Sequence, residues 1–252
     1  MESAFSSLKS IDYAVGNFIV GRFAGIYMPK VSANRSINEF LQRSANSKLF
    51  YADVADPMDF RRQLRKAGRS ETKLPAGVSS ADSGSDNVLF KQANLPAAWF
   101  YREPTISTPE LSDITPVADA ERHSLDDESD LLISYDSVLL SYRLAFVAHD
   151  KDALDWMARI WLQRMRRADV GALNFKAKTT VGEMTGELTC SIQDKDGVMF
   201  SELPAPENAR LYGLETTIEV VGELMMAECV PKETIMRAEL GKPKIDDPWT
   251  GE

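Results

Sequence analysis

The sequence predicts an α+β fold, a mostly antiparallel sheet with one main helix packed on it, plus extended N-terminal, loop and C-terminal segments. Three observations predict it. In residues 137–149, Val138, Leu140, Tyr142, Leu144 and Phe146 fall on one face at the period-two spacing of a strand. Leu139, Ala145 and Val147 make the other face partly apolar, so this strand should be covered on both sides. In residues 214–224, Leu214, Thr216, Ile218 and Val220 alternate with Glu215, Thr217 and Glu219. One dry and one wet face is the habit of antiparallel sheet. In residues 151–167, Leu154, Met157, Trp161 and Met165 form one stripe, and Asp152, Asp155, Arg159, Gln163 and Arg166 form the opposite one. Steps of three and four make that an amphipathic helix, with Asp150 as its N-cap.

The remaining elements follow in chain order. Residues 3–43 mix apolar and polar side chains with Gly16, Gly21 and Gly25, and Gly21 and Gly25 have the spacing of a close helix contact. Ser36-Ile-Asn-Glu39 has the capping-box pattern that starts a short helix. Residues 48–54 read as a strand, and Asp56-Pro57 opens a helix over 58–66. That helix carries Arg61, Arg62, Arg65 and Lys66. Residues 67–86, rich in Gly, Ser and Ala, have the composition of a flexible loop. Residues 96–107 are aromatic-rich and extended. Residues 109–136 hold nine acids and one arginine and read as a mostly exposed acidic connection. Met184, Gly186, Leu188, Cys190 and Ile192 alternate as a further strand, ended by the turn Asp194-Lys-Asp-Gly197. Residues 229–252, with Pro231, Pro243 and Pro248, read as an extended tail.

With 252 residues the chain has room for one or two domains. Twenty-nine basic and thirty-eight acidic residues give −9. That sign argues against a protein that coats nucleic acid with its whole surface, because phosphate binding needs positive potential. The charge is uneven: residues 1–70 sum to +5 (11 − 6) and residues 71–252 to −14 (18 − 32). A basic front and an acidic body suit head-to-tail contacts between copies. The basic cluster Arg61, Arg62 and Arg65 and the acidic cluster Asp126, Asp127, Glu128 and Asp130 are the candidate contact residues. No uncharged stretch exceeds the ten residues 92–101, too short to span a membrane. The N-terminus lacks a basic n-region, so no secretory signal is read.

Catalytic and metal-binding patterns are missing. His123 and His149 have no second histidine at ligand spacing, and Cys190 and Cys229 form no metal pattern. Cys190 falls on a strand face and reads as a buried thiol. Asp194-Lys-Asp196-Gly197 resembles the opening of a calcium loop, but the later ligands do not follow. No Gly-rich phosphate loop, Gly-x-Ser-x-Gly or His-Glu-x-x-His occurs. No catalytic residue, metal or cofactor is therefore expected. Arg159, Arg164, Arg166 and Arg167 with Trp156 and Trp161 suggest a nucleic-acid face only if the tryptophans are exposed, whereas Trp161 belongs to the apolar stripe.

The order of these elements resembles the tail terminator, or neck protein that closes the tail, of large contractile-tailed bacteriophages. The likeness runs through residues 5–30, Leu49-Phe-Tyr-Ala-Asp-Val with 57–65, Leu95-Pro-Ala-Ala-Trp, and Leu140-Ser-Tyr-Arg-Leu-Ala-Phe-Val-Ala-His-Asp. It continues through the helix 153–165 and is strongest in Ala209-Arg-Leu-Tyr-Gly-Leu-Glu-Thr-Thr-Ile-Glu-Val-Val-Gly-Glu-Leu224 with the Pro-rich tail after it. The resemblance implies a single domain over 1–252 and a structural role in the virion, assembled in the host cytoplasm. The resemblance further implies a ring of six copies, so a homohexamer capping tail sheath and tail tube is expected, with head-side neck or connector proteins as further partners. Nucleic acid enters only as DNA passing through the ring lumen, and no membrane is involved. The competing readings are a connector or baseplate protein, a small enzyme using scattered carboxylates, and a nucleic-acid-binding regulator.

Overall fold

The computed structural model describes residues 3–28, 35–54, 57–67, 95–109, 121–124, 129–167, 173–181, 184–193, 199–204 and 211–231. Its spine is a ribbon of two long antiparallel strands, β5 (Ser129–Ala148) and β9 (Tyr212–Pro231). They pair without interruption from Ser129 opposite Pro231 to Ala148 opposite Tyr212. At about 3.3 Å per residue the ribbon is some 65 Å along its strands. Shorter strands line both edges. On the β5 side lie β3 (Ala97–Ser107) and β4 (Glu121–Ser124), with β2 (Leu49–Tyr51) parallel to β3 beyond. On the β9 side β1 (Ser3–Phe5), β7 (Met184–Ile192) and β8 (Ser201–Leu203) follow one another along the edge, and β6 (Asn174–Val181) pairs with β7. The result is a half-barrel mixed sheet with helices, α+β in class.

Both faces of the sheet are covered in part, as the two-sided apolarity of residues 137–149 requires. Leu140, Tyr142, Leu144 and Phe146 enter the larger core, whereas Ala145 and Val147 enter a smaller one. The larger core is roofed by α1 (Leu8–Arg22), α2 (Arg35–Gln42) and α4 (Lys151–Arg166). Trp161 is fully buried there, with Phe23 and Phe146 rings 6.3 and 6.4 Å away. The smaller core is closed by α3 (Pro57–Ala67), whose Phe60 packs on Trp99 at 4.6 Å. Asp150 caps α4 by accepting from the Asp152 backbone N–H (3.0 Å), as its position predicts. In the β5–β9 ribbon the inward parity changes: Ile133, Met225 and Ala227 share a core with Leu140, Ile218 and Val220. The register of the ribbon shows no inserted residue over this change.

Several expectations need correction. The helical layer is not one main helix. α1 is fifteen residues long, so the N-terminal segment is helical rather than extended. Ile11, Ala14, Val15 and Ile19 recur at steps of three and four and are buried. Gly21 and Gly25 make no close contact, and Gly25 (φ +66°) lies past the helix end. The close approach is at Gly16, where an added Cβ would stand 3.0 Å from the Phe100 ring. The stretch 109–136 is not simply a connection: 121–124 is β4, and 129–136 opens β5. The tail read from 229 begins inside β9, which continues to Pro231. Residues 68–86 and 232–252 lie outside the described residues.

Candidate interaction surfaces

The two predicted charge clusters are placed unequally. Arg61 and Arg62 lie on α3, and Arg62 Nη1 donates to Asp59 Oδ1 at 3.0 Å, three residues back on the same helix. Arg61 is half-buried. Arg65 belongs to α3, but its side chain lies outside the described residues, as do Asp126, Asp127 and Glu128. Asp130 is not on an exposed connection. It sits in β5 between Ser124 of β4 and Val230 of β9 and is 7 % exposed. At that burial it does not offer an open carboxylate to another copy.

A buried polar cluster was not foreseen. Asp12 interrupts the apolar stripe of α1, and its Oδ1 accepts from Arg102 Nε (3.0 Å) on β3 and from the Tyr142 hydroxyl (2.7 Å) on β5. The carboxylate thus ties α1 to two central strands. The motive in sequence is weak, because the three residues are far apart in the chain and Tyr142 reads as one more apolar strand residue. Burial, and then the Asp12 carboxylate, hold the Tyr142 phenol far above its ordinary range. Burial also raises the Tyr51 phenol beside the same cluster. A phenol held this firmly in its neutral form donates a hydrogen bond and does not relay protons near neutral pH. The cluster is a tie between layers rather than acid–base machinery.

The other chemistry-bearing residues follow the sequence reading in part. Cys190 is buried on β7, and burial, with the nearby Glu223 carboxylate second, pushes its thiol up to about 12. Such a thiol is a poor nucleophile at neutral pH. Among the described residues no group of three His, Cys, Asp or Glu side chains is arranged to hold a metal. His149 is exposed at the end of β5. The turn 194–197 lies outside the described residues. Trp161 is core, but Trp156 is 37 % exposed on the outer side of α4, with the Arg159 guanidinium 5.8 Å from its ring. Among the described residues no helix is long and apolar enough to cross a membrane.

The described residues also form two exposed surfaces. α4 presents an exposed stripe of Trp156, Arg159, Gln163, Arg166 and Arg167 away from the core. On the other side of the sheet, β9 presents Thr217 and Glu219 to solvent. No protein-family model matches the sequence, and no curated protein matches it.

Proposed function

We propose that this chain is a structural virion protein that closes the tail tube and sheath as a ring, ends tail polymerisation and carries the surface to which head-side neck proteins attach. The observation behind the reading is the order of its elements. A strand–helix pair, the aromatic strand β3, the β5–α4 unit and the late alternating strand β9 follow one another as in the tail terminators that the sequence resembles. The long β5–β9 ribbon gives such a protein a body, and among the described residues the short strands along both edges leave stretches of edge for pairing with neighbouring proteins. A ring of identical copies needs two different surfaces on each copy, and the charge split along the chain is compatible with that. Its partners in this reading are other copies of itself, sheath and tube proteins, and head-side connector proteins. Its place is the tail–neck region of the virion.

The deciding experiment adds purified protein to tail tubes and sheath and reads mass by light scattering and position by electron microscopy. Bound rings at tube ends, and tails of uniform length only when the protein is present, are expected. Failure to bind tail ends at any salt concentration discards the terminator reading. Binding along the tube or at the baseplate end favours the connector or baseplate alternative.

A further inference from the structure

We infer that two copies of this chain associate face to back, with the arginine-rich end of α4 on one copy docking against the middle of the β5–β9 ribbon on the next, on the face that no helix covers among the described residues. The inference deepens the ring reading above by naming the surfaces in contact.

The first surface is the outer side of α4. From Trp156 to its end the helix and its cap carry Arg159, Arg164, Arg166 and Arg167 and no acid, in a chain of net charge −9. All four arginines are exposed. The two acids of the helix, Asp152 and Asp155, lie in its first turns, where they suit the helix dipole. The end of α1 adds charge: Arg164 Nη2 donates to Ala24 O (3.3 Å), and Arg22, over the Phe18 ring, is close enough that Arg164 helps to lower its pKa, after burial. Favourable dipole terms explain one or two arginines at a helix end, but not Trp156 left half open beside Arg159. Trp and Arg are the residue types that most often anchor protein interfaces.

The second surface lies on the opposite side of the sheet. The odd-numbered positions of β9, Glu215, Thr217, Glu219, Val221 and Glu223, alternate with the residues that enter the larger core. The smaller core under α3 reaches only Ala145 and Val147 on β5. Beyond it, Leu139 stands opposite Val221 and Ser141 opposite Glu219. Leu139 and Val221 are half-buried and belong to neither core. The patch thus has an apolar centre with the exposed Glu219 beside it and, further out, Glu223, whose carboxylate accepts from the Thr189 backbone N–H. Arg143, at one end, lies 3.7 Å from Glu215, and Lys176 on β6 donates to Thr189 Oγ1. Among the described residues Glu219 makes no ion pair. An aromatic and arginines on one side, and an apolar pair with glutamates on the other, are complementary in both charge and hydropathy. Because the patches lie on opposite sides of one sheet, a pair keeps one patch of each kind free, the ribbon on one copy and the helix on the other. That is a heterologous contact, which closes into a ring or propagates, and it is not a two-fold dimer.

The test uses two double variants of the full chain that change the charge of one face each, Arg159→Glu with Arg166→Glu, and Thr217→Lys with Glu219→Lys, each checked for an unchanged melting curve. All four positions are exposed, so folding should survive. Each variant alone should self-associate at least about tenfold more weakly than wild type by sedimentation velocity at low salt, a loss of about 1.4 kcal/mol. An equimolar mixture should recover association, because each variant's altered face then meets the other's. Wild-type strength in either variant alone overturns the inference. So does a mixture no stronger than its components. A wild-type protein that stays a single copy and binds duplex DNA through the same arginines also overturns it. Association through these faces without binding to tail ends keeps this inference and removes the terminator reading. Binding to tail ends with the variants silent does the opposite.

Discussion

Trp161 carries more of the larger core than any other residue of α4. It is fully buried, and Phe23 and Phe146 surround its ring. Its Nε1–H has no partner among the described residues, so the side chain contributes volume and pays for it with one unmet donor. Trp161→Ala is expected to cost about 3–5 kcal/mol in chemical denaturation. Trp161→Phe should cost much less, because the ring is retained and the unmet donor is removed. An alanine variant within a few tenths of a kcal/mol of wild type would mean that the core closes without this residue. Cys190 makes a second residue-scale prediction. Its thiol, ordinarily at 9.0, is held near 12 by burial in the folded protein. Between those values the unfolded chain loses the proton and the folded chain keeps it. The contribution is therefore complete below pH 9 and falls as pH rises above it, by at most about 1.4 kcal/mol per pH unit. Tyr142 adds a similar loss above its ordinary 10.0. Urea midpoints measured from pH 7 to 10.5 should decline beyond pH 9, and Cys190→Ala should flatten the first part of that decline. A wild-type midpoint constant to pH 10.5 refutes the assignment.

At the scale of elements, close backbone approach decides where α3 sits. Gly213 lies on β9 beside the start of α3, and a Cβ built there would stand 2.8 Å from Pro57 Cγ and 3.0 Å from Leu203 Cβ. Gly213→Val adds a residue that strands favour, yet it should destabilise by about 1–3 kcal/mol, because neither neighbour is the free end of a flexible chain. Equal or greater stability in the variant would show that α3 yields freely. The same scale shows why some elements were legible and others were not. The sequence pattern predicts β7 with its observed bounds, and α4 to within a residue, because their apolar residues are large and periodic. α1 has the stripe Ile11, Ala14, Val15 and Ile19, but two glycines and Asp12 inside it argue locally against a helix. Tertiary partners reverse that: Gly16 admits the Phe100 ring, and Asp12 is neutralised by Arg102. β6 is harder to read because, after Phe175, its inward residues Ala177 and Thr179 are small or polar and leave only Val181 to mark the alternation. The start of β5 was hidden by acids, one of which, Asp130, is itself buried. The candidate site fared worse than the fold. Charge runs show where charge is, but not that Arg62 is held by Asp59 or that Trp156 stays outside.

At the scale of the whole molecule, the ribbon is supported unevenly along its length. Its middle and upper parts, near 138–147 of β5 and 213–222 of β9, are flanked by β3, β7 and β8 and receive both cores. Among the described residues the far end, 129–136 with 224–231, is flanked by only the four-residue β4 and the three-residue β1. Ser6 adds a clasp there, donating its backbone N–H to Met225 O (2.8 Å) and accepting from the Met225 backbone N–H through its hydroxyl (2.9 Å). Local opening follows buried contact, so the two ends should differ in hydrogen exchange even though one pair of strands runs through both. In isolated protein, amides of Leu140–Phe146 and Thr216–Val220 should exchange only through global unfolding. Those of Leu131–Tyr135 and Met225–Cys229 should exchange faster, by about tenfold for each 1.4 kcal/mol of difference in local opening free energy. Ser6→Ala should widen the gap by removing the clasp, and the middle of the ribbon should hardly respond. Assembly adds a separate expectation. If arginines of a neighbouring α4 cover the patch at Thr217 and Glu219, protection should rise around that patch, while the far end gains only if another protein pairs with its edges. Uniform exchange along the ribbon in the isolated protein would mean that it unfolds as one unit, and that the flanking strands do not set its local stability.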